Sequence, residues 1–116
     1  SDLKQTPTGT YDDNTTNYSD ITGNTDEAVG TNYSAGGQVL DTATITLSGT
    51  TAFVDFDDEI FVNHTIAADG AIIYNASKAN RAVAVFDFGG TVTSTSGDFT
   101  LVFPTADATN AVIRIS

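Results

Sequence analysis

Residues 65–90, TIAADGAIIYNASKANRAVAVFDFGG, hold the two most apolar runs of the chain, separated by a polar loop. The first run is AIIY at 71–74, and the second is AVAVFDF at 82–88. A short, continuous apolar run bounded by turn residues is typical of a buried strand. The sequence therefore predicts a hairpin of two central strands, with NASKANR as the loop at its tip.

Other short segments alternate polar and apolar residues with the period of a strand. They are residues 38–47, 51–56, 99–103 and 111–115. Ser48-Gly49-Thr50 is predicted to form a hairpin turn. Gly89-Gly90 is predicted to end the second central strand, and Gly97-Asp98 is predicted to form a turn. No stretch has a helical period of useful length. The pattern predicts an all-β fold, an antiparallel β-sandwich or small barrel of about six to seven short strands.

Residues 1–34 are polar, and their apolar residues occur singly. This pattern predicts an extended polar N-terminal arm or long loop over residues 1–34, followed by a β domain over residues 35–116. Such an arm becomes ordered only by lying on another surface, and free disorder is the alternative. Spaced anchors suit packing along a neighbouring subunit, so the candidate contact residues are Tyr11, Tyr18, Ile21 and Tyr33.

The charge of the chain limits its partners. Its 116 residues include 15 acidic and 4 basic side chains, which gives a formal net charge of −11. Binding to nucleic acid requires a basic patch, and binding to an anionic membrane requires basic clusters. We therefore expect neither nucleic acid nor a membrane as a partner. The absence of Cys excludes disulfides and thiolate metal sites, and no cofactor is expected.

Acidic residues are densest at Asp55, Asp57, Asp58 and Glu59. Clustered carboxylates are the ligands that Ca²⁺ prefers, so these four residues are the candidate calcium site. Their D-x-D-D-E spacing differs from the EF-hand pattern, which favours a solvated loop instead. The single histidine, His64, is interpreted as a loop residue. No nucleophile motif accompanies it, and paired carboxylates for glycoside chemistry are not distinguishable among the Asp-rich loops.

Two of the four basic residues, Lys78 and Arg81, lie in the predicted NASKANR loop. In so acidic a protein they are candidates for contact with an acidic neighbour, such as the Asp-rich loop of another copy. The alternative is a solvated hairpin tip without a partner.

Five motifs follow one another in an informative order. They are GTNYSAGG at 30–37, FDD at 56–58, AIIY at 71–74, VFDFGG at 85–90 and SGDFTLVF at 96–103. In this order they resemble the motifs of a group of small β-rich virion structural proteins of tailed phages. The resemblance covers about residues 30–116. It implies a capsid or tail component of the virion, made in the host cytoplasm, and supplies no catalytic residues.

The resemblance favours a non-enzymatic capsid decoration or stabilising subunit. Such a subunit acts through contacts with other virion proteins and with copies of itself, as a homo-oligomer or within a large symmetric assembly. A phage tail or fibre subunit is the nearest alternative. A surface filament or adhesin subunit, extracellular and assembling by strand exchange, is another. A carbohydrate-binding or calcium-dependent module is a third, and an enzyme is the least expected.

Overall fold

The computed structural model describes residues 1–41, 43–103, 107, 109 and 113–115. Residues 113–115 are described by their backbone alone. The protein is all-β, with two antiparallel sheets. In chain order its elements are β1 (Asp2–Lys4), α1 (Ser19–Gly23), β2 (Thr44–Ser48), β3 (Thr51–Asp55), β4 (Glu59–Asn75), a 3₁₀ turn (Ala76–Lys78), β5 (Arg81–Leu101) and β6 (Ile113–Ile115).

The chain divides into two compact units whose boundaries differ from the arm and β domain expected from the sequence. The first unit combines Ser1–Gly37 with Val62–Phe99, and the second combines Gln38–Phe61 with Thr100–Ser116. The first 34 residues thus belong to the same unit as most of the central hairpin. The physical reason is that β1 adds to the hairpin as a third strand.

The sheet of the first unit has the order β1-β4-β5. In β1, Asp2 pairs with Ala71 and Leu3 pairs with Gly70, after which the register shifts by one residue. The predicted hairpin of residues 65–90 is present as β4 and β5. Its tip is the 3₁₀ turn, where the side chain of Asn75 accepts a hydrogen bond from the backbone N–H of Ser77 at 3.0 Å.

Both central strands are longer than the apolar runs that mark them, so three local predictions were wrong. β5 continues through Gly89-Gly90 and through Gly97-Asp98, and His64 lies within β4 rather than in a loop. Polar residues of the two strands bond to each other beyond the apolar runs. The Ser94 hydroxyl donates to the carbonyl of His64 at 2.9 Å, for example.

The core of the first unit joins the N-terminal residues to the sheet. Leu3 of β1, Ile21 of α1 and Ile72 of β4 form one buried apolar cluster, and Ile21 has no exposed surface. Tyr11 and Tyr74 pack against this cluster. Ile21 and Tyr11 of the N-terminal segment therefore cover one face of its own sheet.

The helix α1 was not predicted, because five residues are too few to show a helical period. Local hydrogen bonds hold its first turn. The Asn17 side chain accepts from the N–H of Ser19 at 2.9 Å, and the Asp20 carboxylate accepts from the N–H of Thr16 at 3.0 Å. An acidic residue in the first turn also suits the positive end of the helix dipole. Burial of Ile21 then fixes the helix on the sheet.

The sheet of the second unit has the order β2-β3-β6. β2 and β3 form a hairpin that pairs Ser48 with Thr51, and its two-residue connection begins with Gly49 at φ 61°. Glycine at this position is common in two-residue hairpins, because positive φ matches the twist of the strands. The sequence predicted this turn. β6 pairs with β3 over Ala52–Val54, placing Ile113 opposite Val54.

Truncation of Ile21 to alanine should destabilise the protein, because this fully buried side chain joins α1 to the sheet. Large-to-small substitutions in a core typically cost about 2–5 kcal/mol. Chemical denaturation measures the loss. Val29→Ala is the matched control, since Val29 is 90% exposed, and should change stability by less than about 0.5 kcal/mol. Equal effects of the two substitutions would contradict the buried role of Ile21.

Candidate functional site

The four N-terminal residues predicted to contact a neighbouring subunit all make contacts within their own chain. Ile21 is buried, and the hydroxyls of Tyr11, Tyr18 and Tyr33 bond to two adjacent carboxylates, those of Asp26 and Glu27. Tyr18 also stacks on Tyr74 with the ring centroids 4.5 Å apart. The N-terminal segment is thus ordered by the chain itself.

Asp26 is a fully buried carboxylate with a dense set of donors. It accepts hydrogen bonds from the backbone N–H groups of Thr8 at 2.9 Å and Gly9 at 2.7 Å, and from the Tyr11 hydroxyl at 2.6 Å. The ammonium group of Lys4 lies 3.2 Å away. Burial by itself would raise the pKa of Asp26, but these bonds to the charged form outweigh it and lower the pKa.

The carboxylate of Glu27, the next residue, accepts hydrogen bonds from three other parts of the first 37 residues. Its carboxylate accepts from the Ser1 hydroxyl at 2.8 Å, from the hydroxyl of Tyr18, and from the N–H of Gly36 at 2.6 Å. Burial and the bond to Glu27 raise the pKa of Tyr18, so its phenol stays protonated and remains a donor. Tyr33 donates to the same carboxylate at 3.3 Å.

Two glycines of the GTNYSAGG motif, Gly30 and Gly36, have structural roles. A Cβ at Gly30 would overlap the carbonyl oxygen of Thr65, so only glycine permits this approach to β4. Gly36 has φ 94°, and its carbonyl accepts from the Tyr74 hydroxyl at 2.7 Å. The motif therefore fastens residues 30–37 to the hairpin, which is a structural rather than a chemical role.

Asp2 is a second buried carboxylate that the sequence did not predict. Its side chain has no exposed surface, and neither carboxylate oxygen has a hydrogen-bond partner among the described residues. Burial, aided by the charge of Glu27, raises the pKa of Asp2 from its ordinary value of 3.8 to about 6. The terminal ammonium group and His64 act in the opposite direction. No periodic signal marks such a residue, because its environment comes from distant segments.

Lys78 and Arg81 lie at the tip of the central hairpin, as predicted, and both are exposed. Neither side chain forms an ion pair with a described residue. The ion pair among the described residues is Lys4–Asp26, in the N-terminal segment. The backbone of Arg81 is held by a bridge to Asn17. Both side chains are therefore presented to solvent from a fixed backbone, and contact with an acidic neighbour stays a prediction.

The four acidic residues proposed as calcium ligands occupy different structural positions. Asp55 ends β3, Asp57 and Asp58 follow it, and Glu59 begins β4 and is buried. Asp58 accepts a hydrogen bond from the N–H of Phe103 at 2.8 Å. Burial and the nearby charge of Asp41 raise the pKa of Glu59. Over the part of the chain that the structure describes, no three carboxylate or imidazole groups lie close enough to hold a metal ion.

An exposed apolar surface lies on the second unit, at the outer strand of its sheet. Every side chain of β2 is exposed, including Ile45 at 78% and Leu47 at 71%. Ile45 pairs with Val54 and Leu47 pairs with Ala52, so these four residues share one side of the hairpin. We call them the β2 face. Among the described residues, no strand pairs with the outer edge of β2. An apolar face beside such an edge is typical of an interaction surface.

No family model, no curated protein and no solved structure matches this chain. In the described residues, no helix is long and apolar enough to cross a membrane. The geometry of the molecule is therefore the basis for inferring its function.

The buried Asp2 should make stability depend on pH. Native Asp2 holds its proton to higher pH than the unfolded chain does. The contribution of Asp2 to the free energy of unfolding is therefore complete below about pH 4, and it is lost as the pH rises through about 6. At about 1.4 kcal/mol per pH unit, the loss is about 3 kcal/mol. Asp2→Asn should remove this dependence, which denaturation at several pH values measures.

Asp13→Asn removes an exposed carboxylate and serves as the matched control. It should keep the steep loss of stability over the same pH interval. A profile for Asp2→Asn that stays parallel to that of the unaltered protein would show that Asp2 does not titrate as a buried group.

Proposed function

We propose that this protein is a non-enzymatic structural subunit of a tailed-phage virion, most simply a capsid decoration or stabilising subunit. The observation that carries the proposal is the exposed β2 face, beside a strand edge with which no described strand pairs. A structural subunit works by burying surface against repeated neighbours, and it needs no catalytic cleft. The resemblance of residues 30–116 to phage virion proteins supports the virion as its location.

The β2 face suits contact with a second copy of the same chain. The chain as a whole carries a net charge of −11, so most approaches of two copies bring like charges together. No charged residue lies between Asp41 and Asp55, the stretch that contains β2 and most of β3. Two copies can therefore meet through this hairpin with little repulsion while they bury the side chains of Ile45 and Leu47.

The edge of β2 also lacks the usual devices that prevent pairing between molecules. Its sequence, TITLS, has no proline and no charged residue, and its pairing with β3 continues without a bulge. Such an edge can accept another strand through backbone hydrogen bonds. This feature favours the second candidate, a filament or adhesin subunit that assembles by strand exchange; a tail or fibre subunit would use the same surface. The sandwich or small barrel expected from the sequence remains a proposal for the finer fold.

Replacement of Ile45 and Leu47 by lysine should weaken self-association and incorporation into the virion shell. The physical reason is that positive charges on the β2 face require desolvation when two copies meet. We expect the association constant to fall by about tenfold or more. Sedimentation velocity over a concentration series measures self-association. Co-sedimentation with shells that lack the protein measures incorporation.

Val29→Lys is the matched control, because Val29 is 90% exposed and belongs to the other unit. It should assemble as the unaltered protein does. If the double lysine variant assembled equally well, the β2 face would not be the contact. Open-ended filaments formed by the unaltered protein alone would favour the strand-exchange subunit over a decoration subunit.

A further inference from the structure

The backbone groups along β2 alternate in direction, and the hairpin turn fixes which of them point outward. The turn lies between Ser48 and Thr51, which are therefore the hydrogen-bonded pair that closes the hairpin. Bonded and non-bonded pairs alternate along an antiparallel ladder, so Thr46 also bonds inward to β3. The N–H and C=O groups of Ile45 and Leu47 consequently point to the outer edge of β2.

These outward backbone groups are accessible. β2 is the terminal strand of the order β2-β3-β6, and no described residue bonds to the backbone of Ile45 or Leu47 from the outer side. Every residue of β2 is exposed, as is expected of a strand with no segment lying along it. The outer edge of β2 can therefore receive a further strand through backbone hydrogen bonds.

We propose that two copies of this chain pair β2 with β2 in antiparallel orientation, about a two-fold axis at Thr46. This register overlaps all five residues of the strand. It places Ile45 opposite Leu47 of the second copy as a hydrogen-bonded pair, and the two Thr46 residues opposite each other as a non-hydrogen-bonded pair. The proposal rests on the contact between copies through β2 proposed above, and it specifies the register and the symmetry of that contact.

In this register the strand is complementary to itself. Apolar side chains lie beside apolar side chains on one side of the sheet, and the threonine hydroxyls lie together on the other; cross-strand pairs of both kinds are stabilising. No charged residue lies between Asp41 and Asp55. The repulsion between two chains of net charge −11 therefore acts outside the paired residues. A partner selected by charge would find no charged group on β2, which favours a second copy as the occupant.

Pairing about a two-fold axis ends at two copies. The contact is isologous, so the outer edge of each β2 is used by the other copy and no third strand can add there. Two three-stranded sheets then join into one of six strands, with the two β2 faces side by side. Because a pair of five-residue strands buries little area, we expect the free dimer to be weak, and a covalent trap is the suitable measurement.

Single cysteine substitutions test the register, since the chain has no cysteine of its own. Thr46→Cys places two thiols in a non-hydrogen-bonded pair with Cα atoms about 4.5 Å apart, within the reach of a disulfide. Ser48→Cys is the matched control, because it is also exposed and on the same side of β2. Its counterpart in the second copy lies four strand positions away, or about 14 Å.

Both variants are equilibrated in a glutathione redox buffer, and non-reducing electrophoresis measures the disulfide-linked dimer. We expect the equilibrium constant for dimer formation to be about tenfold or more higher for Thr46→Cys than for Ser48→Cys. Random collision of exposed thiols would give the two variants equal yields, and this result would overturn the proposal.

Hydrogen exchange of the unaltered protein at increasing concentration tests the backbone pairing. Exchange of the outward amides of Ile45 and Leu47 should slow as the concentration rises. The Thr46 amide already bonds to β3 and should change less. Two copies that stacked their β2 faces without pairing the edges would leave the outward amides unprotected. Exchange at Ile45 and Leu47 that is independent of concentration would therefore overturn the pairing, even if a cysteine variant failed to fold.

Neither experiment requires a shell, so failure of the pairing can be distinguished from failure of the proposed function. If the double lysine variant lost incorporation into shells but Thr46→Cys gave no excess of dimer, the pairing would be wrong and the virion role would stand. If Thr46→Cys formed the dimer but the unaltered protein did not bind shells, the pairing would stand without the virion role.

Discussion

The buried carboxylate of Asp26 is the interaction on which the first unit depends. A buried charge is costly unless donors surround it, and Asp26 has donors from Thr8, Gly9, Tyr11 and Lys4. These donors come from residues 4–11, so the carboxylate closes the N-terminal segment into a loop. That loop holds α1 over the sheet, and Ile21 then completes the apolar cluster with Leu3 and Ile72.

Glu27 extends the same principle to the other end of the segment. Its donors lie at Ser1, Tyr18, Tyr33 and Gly36, which are far apart in sequence. Because tyrosine supplies both an apolar ring and a hydroxyl donor, it can bury surface and satisfy a carboxylate at once. The polar composition of residues 1–34 is therefore compatible with order, since the acids and tyrosines satisfy each other within one chain.

The two units offer different surfaces to partners. In the second unit, the β2 face is apolar and lacks charge, which suits a second copy of an acidic chain. In the first unit, a groove of about 790 Å³ is lined by residues of all three strands and of the segment 7–15, and four of its lining residues are aspartates.

The sequence by itself determined the all-β class, the central hairpin with its polar tip, and the turn at Gly49, because these depend on short-range periodicity and glycine conformation. It also indicated that Lys78 and Arg81 lie at the exposed tip. Only the tertiary structure decided where the N-terminal tyrosines point and that Asp2 and Asp26 are buried. Those properties arise from contacts between residues tens of positions apart, and a carboxylate looks the same in sequence whether water or a ring of donors surrounds it.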